Sequence, residues 1–176
     1  KWYTFNDEGA NSSTVNMILD HNTTARVAYN SANVNTEPKE AATALTNDTQ
    51  SWNSSLNARL ITANEVAKIT GNTSFNGETS TSGSWFYFDS NNQTQTATTQ
   101  GASKYSWLFD YTNDCTNHGC NIADSSNYGY WTSTPAVGSD SSVWRVIRDG
   151  FLGCRTASNI DRGVRPVITI SKSIIQ

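Results

Sequence analysis

SVWRVIRDGFLGCRTA, residues 142–157, holds two runs of strand character on either side of Asp149-Gly150. Asp-Gly between such runs favours a tight hairpin turn, whose central positions need a positive φ. In the first run Trp144 and Val146 share one strand face, and Arg145 and Ile147 share the other. YGYWTST (128–134) is a third strand candidate just upstream, and GVRPVITISKSII (163–175) closes the chain as a last strand, with Pro166 at its start or on an edge. Arg165 sits among Val164, Val167 and Ile168, where an unpaired charge is costly, so it requires a partner or a solvated face.

Working outward, TVNMILD (14–20) alternates Val15, Met17 and Leu19 with more polar positions, as a half-buried strand does. ARVAY (25–29) is expected to pair with it across DHNTT. TEPKEAATALTNDTQSW (36–52) predicts a helix with Thr36 as its cap, Pro38 in its first turn, and Ala41, Ala44 and Leu45 on one face. RLITANEVAKITG (59–71) predicts a second, with Thr62 and Glu65 at capping-box spacing, Val66 and Ile69 inward and Gly71 as the stop. Residues 72–103 read as a long polar loop interrupted by the aromatic SWFYFD (84–89), and KYSWLFDY (104–111) adds more aromatic mass. A strand, two helices, a long loop and a terminal sheet make a single α+β domain over residues 1–176, with a mainly antiparallel sheet.

Composition narrows the classes. The 176 residues carry 15% charged side chains, and Asn, Ser and Thr make up over a third of the chain, yet six Trp, seven Tyr and six Phe supply enough apolar mass for a core. No apolar run reaches the length of a membrane span, so no membrane insertion is expected within this chain, and no signal peptide is visible. A first residue that is not Met reads as a processed product or an excised domain of a larger surface protein. Few lysines, a polar uncharged surface and a close cysteine pair favour an extracellular or cell-surface setting.

The net charge of −3 is unevenly spread: residues 1–141 hold thirteen acids and six bases, and residues 142–176 hold five arginines and one lysine against Asp149 and Asp161. Overall acidity argues against nucleic acid as a partner. The basic end either pairs with the acidic remainder of the fold or meets an anionic ligand.

GYWTSTP (129–135), SSVWRVIRDG (141–150) and DRGVRPVITI (161–170) together resemble the C-type-lectin-like fold, in the form carried by bacterial and phage surface domains. They are similar also to the formylglycine-generating enzymes and the retroelement-diversified variable proteins. The resemblance implies two helices, paired N- and C-terminal strands and a loop-rich second half. It implies that Arg165 is a structural pin, tying the last strand to the loops through fork-like bonds to carboxylate or carbonyl oxygen, and that Trp131 and Trp144 are structural core residues. It further implies that the residues between Trp144 and Val146 and beyond them point outward on a ligand-facing sheet. That face comprises Arg145, Ile147, Phe151, Gly153 and Arg155, rimmed by Arg148, Asn159, Asp161 and Arg162. Arginine beside aromatic and aliphatic side chains on a rigid sheet has the composition of a binding hot spot for a protein or glycan receptor.

Chemistry beyond binding finds little footing. The calcium-binding triplets of sugar-binding animal lectins have no counterpart, since Glu37-Pro38-Lys39 lacks the amide ligand, and the Asp and Asn residues of FDYTNDCTNHGCNIADSSN (109–127) show no fixed ligand spacing. No cofactor is therefore expected. Cys115 and Cys120 have the interval of the formylglycine-generating pair but lie upstream of Trp131 instead of after the hairpin, so that catalytic pair is absent. The two read as a local disulfide; a zinc half-site with His118 is the alternative, and His21 is the one other histidine available. Cys154 reads as a small buried residue on a strand, or as the source of an intermolecular bridge or of re-pairing with Cys120. No nucleophile elbow, phosphate-cradling loop or zinc-helix motif is present, and the chain reads as a binding module, not an enzyme. A structural module of a pilus or fibre, and a divergent formylglycine-type oxidase acting through Cys154, are the alternatives.

Overall fold

The last strand lies directly against the first one predicted from sequence. The structure, a computed structural model, describes residues 1–5, 12–53, 56–81, 86–87, 105–108, 129–147 and 151–174. β2 (Thr14–Leu19) pairs antiparallel with β9 (Val167–Ser171), bringing Val15 opposite Ile170 and Ile18 opposite Val167. β1 (Trp2–Phe5), not predicted from sequence, adds antiparallel to the other edge of β2 and completes a three-stranded sheet.

A second sheet of six strands has the order β3-β8-β5-β6-β7-β4, formed by Thr24–Val27, Arg162–Val164, Gly129–Pro135, Ser142–Ile147, Phe151–Thr156 and Phe86–Tyr87 respectively. Its ladders are antiparallel except for the single parallel bridge of β5 to β8 at Tyr130 and Gly163. With α1 (Lys39–Thr49) and α2 (Ala63–Thr70) the chain is α+β, built on two mainly antiparallel sheets.

The hairpin expected between residues 14–20 and 25–29 does not form. Both edges of β2 are taken by β1 and β9, and the chain beyond it is bound to the C-terminal arm instead: Leu19 N–H donates to Pro166 O at 3.0 Å and Thr23 N–H to Val164 O at 2.9 Å. β3 consequently pairs with β8, with Thr24 opposite Val164 and Val27 opposite Arg162.

α2 starts and stops where its residues dictate. Glu65 N–H donates to Thr62 Oγ1 at 3.0 Å and Thr62 N–H to Glu65 Oε2 at 2.9 Å, and Gly71 closes the helix at φ 71°. α1 begins after Pro38 with no side-chain cap, so Thr36 does not cap it; Glu40 in its first turn instead accepts from Ser31 N–H at 2.8 Å. Ala41 and Leu45 are its buried residues.

The central strands separate two apolar clusters. Tyr130, Trp144, Val146 and Leu152 face one that includes Ile18, Ile61, Val66, Phe75 and Val167. Trp131, Val143 and Val164 face the other, with Tyr29, Leu45 and Leu60. Each tryptophan meets an aromatic edge: Trp144 lies 4.8 Å from Phe75 and Trp131 5.8 Å from Tyr29, centroid to centroid, both T-shaped. A sheet buried on both faces leaves no open face for alternate residues of β6 to occupy.

Arg165 is fully buried between β8 and β9. Its Nε donates to Asn22 Oδ1 at 3.2 Å, and Nη1 to the carbonyl oxygens of Trp107 at 3.3 Å and Leu108 at 3.0 Å. The oxygens are amide and main-chain carbonyl, which tie the last strand, the start of β3 and the turn at 106–108 into one polar knot inside the core.

Candidate functional site

Between β7 and β8 the chain must pass two intervening strands, β6 and β5, in only five residues, 157–161. It does so as a tied crossover. Ala157 N–H donates to Ser141 O at 2.7 Å, Asn30 N–H to Ala157 O at 3.1 Å, and Ser158 N–H to Asn33 Oδ1 at 3.3 Å. Asn159 makes a local turn, its N–H donating to Thr156 O at 3.0 Å and its Oδ1 accepting from Asp161 N–H at 3.0 Å. Such anchoring gives a loop the fixed geometry that a binding site needs.

The crossover carries Asp161 to a place between two arginines. Arg162 Nη1 lies 2.7 Å from Asp161 Oδ1 and donates to the Asp161 main-chain carbonyl at 2.7 Å. Arg155 Nη2 reaches Asp161 Oδ2 at 3.5 Å. The side chain of Arg162 is only 5% exposed while that of Arg155 is 44% exposed, so the carboxylate links an inner guanidinium to an outer one. Arg26, from β3, donates from Nε to Ile160 O at 3.3 Å and closes the far side.

These groups wall an open groove of about 660 Å³, lined by Arg26, Arg155, Asn159, Ile160 and Asp161 together with the hydroxyls of Thr156 and Ser158. That volume lies within the range of small-ligand sites. Arg145 belongs to the same electrostatic group. Burial, and then the charges of Arg162 and Arg155 against the opposing pull of Asp161, bring its guanidinium down to about 9, still protonated at neutral pH.

The site predicted from sequence is thereby divided. Arg155, Asn159 and Asp161 come together in the groove. Arg162 is buried next to Asp161. Arg145 and Ile147 do not point outward as expected: they are 4% and 5% exposed, because the face they share with Val143 lies on the second apolar cluster. Gly153, opposite Arg145, is buried as well. Phe151 begins β7 opposite Ile147, its side chain outside the described residues. Arg148, Cys115, Cys120 and the whole polar segment 109–127 also lie outside them. Trp131 and Trp144 are fully buried. Cys154 is half-buried and packs against the first cluster.

Sequence reasoning missed Arg26 and Ile160. Arg26 lies in β3 and reaches the groove because β3 pairs with β8. Ile160 is 59% exposed, an unusual setting for an isoleucine on a short tied loop. No cluster of three or more His, Cys, Asp or Glu side chains suited to a metal occurs among the described residues.

No match is found among curated proteins or among solved structures. Residues 15–172 match the family described as Domain of unknown function (DUF6273), and the chain belongs to it. The matched span opens in β2 and ends just past β9, so the pairing of these two strands and the whole crossover groove fall inside the family's unit, while β1 lies outside it.

Proposed function

We propose that this member of the DUF6273 family is a ligand-binding module of an extracellular or cell-surface protein, C-type-lectin-like in fold, which recognises a glycan or protein through the crossover groove and catalyses no reaction. The observation that carries this reading is the placement of Arg155: a half-exposed guanidinium on a β-strand, in a groove whose loop is tied at both ends. The backbone of Arg155 is already fixed in the β6–β7 ladder, so gripping a ligand orders the side chain alone. The fold assignment is supported by the pairing of the last strand with β2 near the start of the chain, the two helices and the buried Arg165 of the Gly-Val-Arg-Pro segment.

Binding in place of catalysis is favoured by what lines the groove. Guanidinium, hydroxyl and amide groups suit recognition, and the carboxylate of Asp161 is engaged by two arginines. The extracellular setting rests on the polar uncharged composition; among the described residues no helix is long and apolar enough to cross a membrane.

The test is a glycan and surface-protein array probed with the wild-type chain and with Arg155→Ala and Asn159→Ala. Signals lost in both variants, with near-ultraviolet circular dichroism unchanged, support the groove. Signals that survive both substitutions place binding elsewhere and refute it.

A further inference from the structure

We propose that the groove's ligand is an acidic glycan whose carboxylate is taken by Arg155 with Arg26 opposite, while its hydroxyls meet Thr156, Ser158 and Asn159. This rests on the reading of the groove as the binding site, and it names the chemistry that site selects.

Charge is the first argument. Arg26 and Arg155 line the groove, Arg162 and Arg145 lie behind it, and among the described residues Asp161 is the carboxylate that Arg155 and Arg162 share. Asp161 sits nearer the inner partner, at 2.7 Å from Arg162 against 3.5 Å from Arg155. The outer guanidinium therefore holds the weaker contact and the greater exposure. A planar fork in that condition is suited to a second, bidentate carboxylate. Burial, and after it the like charges of Arg162 and Arg155, bring the guanidinium of Arg145 down to about 9, and an incoming anion offsets the like-charge part.

The walls decide between a sugar and an acidic protein. An open groove of about 660 Å³ has room for one to a few sugar rings, whereas a protein partner needs a broad face with an apolar centre. Among the described residues the large apolar side chains that are exposed are Val34, Val137, Ile160 and Ile174, on four separate segments, and of these Ile160 alone lines the groove. One exposed aliphatic side chain beside hydroxyls and an amide fits the alternating C–H and O–H surface of a pyranose ring. It does not supply the anchor of a protein interface.

Calorimetric titration of the whole chain tests this with four probes: a glucuronic-acid-containing oligosaccharide, the same oligosaccharide with its carboxyls reduced to alcohols, a hexaglutamate peptide, and inorganic sulfate. The acidic oligosaccharide is expected to bind with an affinity that falls as salt is raised, and carboxyl reduction to weaken it by about tenfold or more, the size of a lost charge-assisted pair. Arg155→Ala should weaken it comparably. Arg155→Lys, which keeps the charge and loses the fork, should weaken it severalfold, and Lys39→Ala on α1 should leave it unchanged. Failure of the acidic oligosaccharide to bind at millimolar concentration overturns the inference. Equal binding of the reduced form overturns the carboxylate alone, and the groove reading stands if Arg155→Ala still weakens both. Binding indifferent to Arg155→Ala overturns the groove reading itself. Hexaglutamate or sulfate binding as tightly as the sugar overturns the choice of a glycan.

Discussion

The guanidinium of Arg165 lies 4.6 Å over the ring of Tyr130, and both side chains donate to one acceptor, the main-chain oxygen of Leu108, at 3.0 and 2.5 Å. A cation stacked on a phenol and sharing its acceptor holds the strand pair β5 and β8 to the turn at 106–108, in the middle of the core. Burial pushes the Tyr130 hydroxyl up to about 12, Arg165 pulling the other way, so it stays a neutral donor under ordinary conditions.

Arg165→Ala is therefore expected to destabilise the fold by about 3 kcal/mol or more, since it takes their donor from the oxygens of Asn22 and Trp107, leaves Leu108 O to Tyr130 alone and opens a cavity in the core. Asn22→Ala, which removes one arm of the same knot and the 3.2 Å bond to Gly129 O, should cost less, about 1–2 kcal/mol. Urea denaturation of both variants checks the order; an Arg165→Ala variant as stable as wild type would sink this account of the core.

Glu65 predicts an acid limb in the stability curve. Burial alone would raise its carboxyl, but hydrogen bonds from Arg59 and Thr62 outweigh that and hold it below the usual carboxylate range. A lowered folded-state value means that the contribution is complete above the unfolded value of about 4.3 and is lost as pH falls through the lower, folded one. Wild type should lose stability on acidification below about pH 5 more steeply than Glu65→Gln. Thr62→Ala, which removes the cap, should cost about 1 kcal/mol at neutral pH. Parallel acid limbs for wild type and Glu65→Gln would contradict this.

Gly129 opens β5 at φ 135°, where a Cβ would stand 1.8 Å from the carbonyl oxygen of Val146. Gly129→Ala must push β5 away from β6 where Gly129 stands opposite Ile147, at a cost of about 3 kcal/mol or outright failure to fold. Thermal denaturation measures it, and a midpoint within a degree of wild type would show that the two strands are not so close.

Asp161→Asn removes the carboxylate that Arg155 and Arg162 share while keeping its shape. Stability should fall by about 1–3 kcal/mol, and sulfate should restore part of it by standing in for the lost charge. Sulfate acting equally on wild type and variant would show that the arginines do not depend on Asp161.

Much of the fold is legible in the sequence where local chemistry decides it. Thr62, Glu65 and Gly71 specify α2 without help from the rest of the chain, and the spacing of apolar residues in 14–20 and 163–171 marks the strands that pair. Partnering is less legible, because it depends on which edges are already taken: residues 25–29 have the pattern of a hairpin strand, and the hydrogen bonds of Leu19 and Thr23 to Pro166 and Val164 send them to the other sheet.

The site is half legible for a related reason. Alternation in β6 separates Trp144 and Val146 from Arg145 and Ile147, but strand period cannot tell whether the second face meets water or a second apolar layer. Arg145 is buried by residues such as Trp131 and Val143, whose meeting depends on the whole topology. Arg155, Asn159 and Asp161 belong to one short run, and the turn at Asn159 keeps them together in space as in sequence.

The most direct test follows the backbone amides of the ¹⁵N-labelled chain while the acidic oligosaccharide is added. The crossover account predicts that the largest, saturable shifts fall on residues 155–161 and on Arg26, and that they vanish in Arg155→Ala. Shifts centred elsewhere, such as the cleft beside Trp52 at the end of α1, with residues 155–161 unmoved, would contradict it.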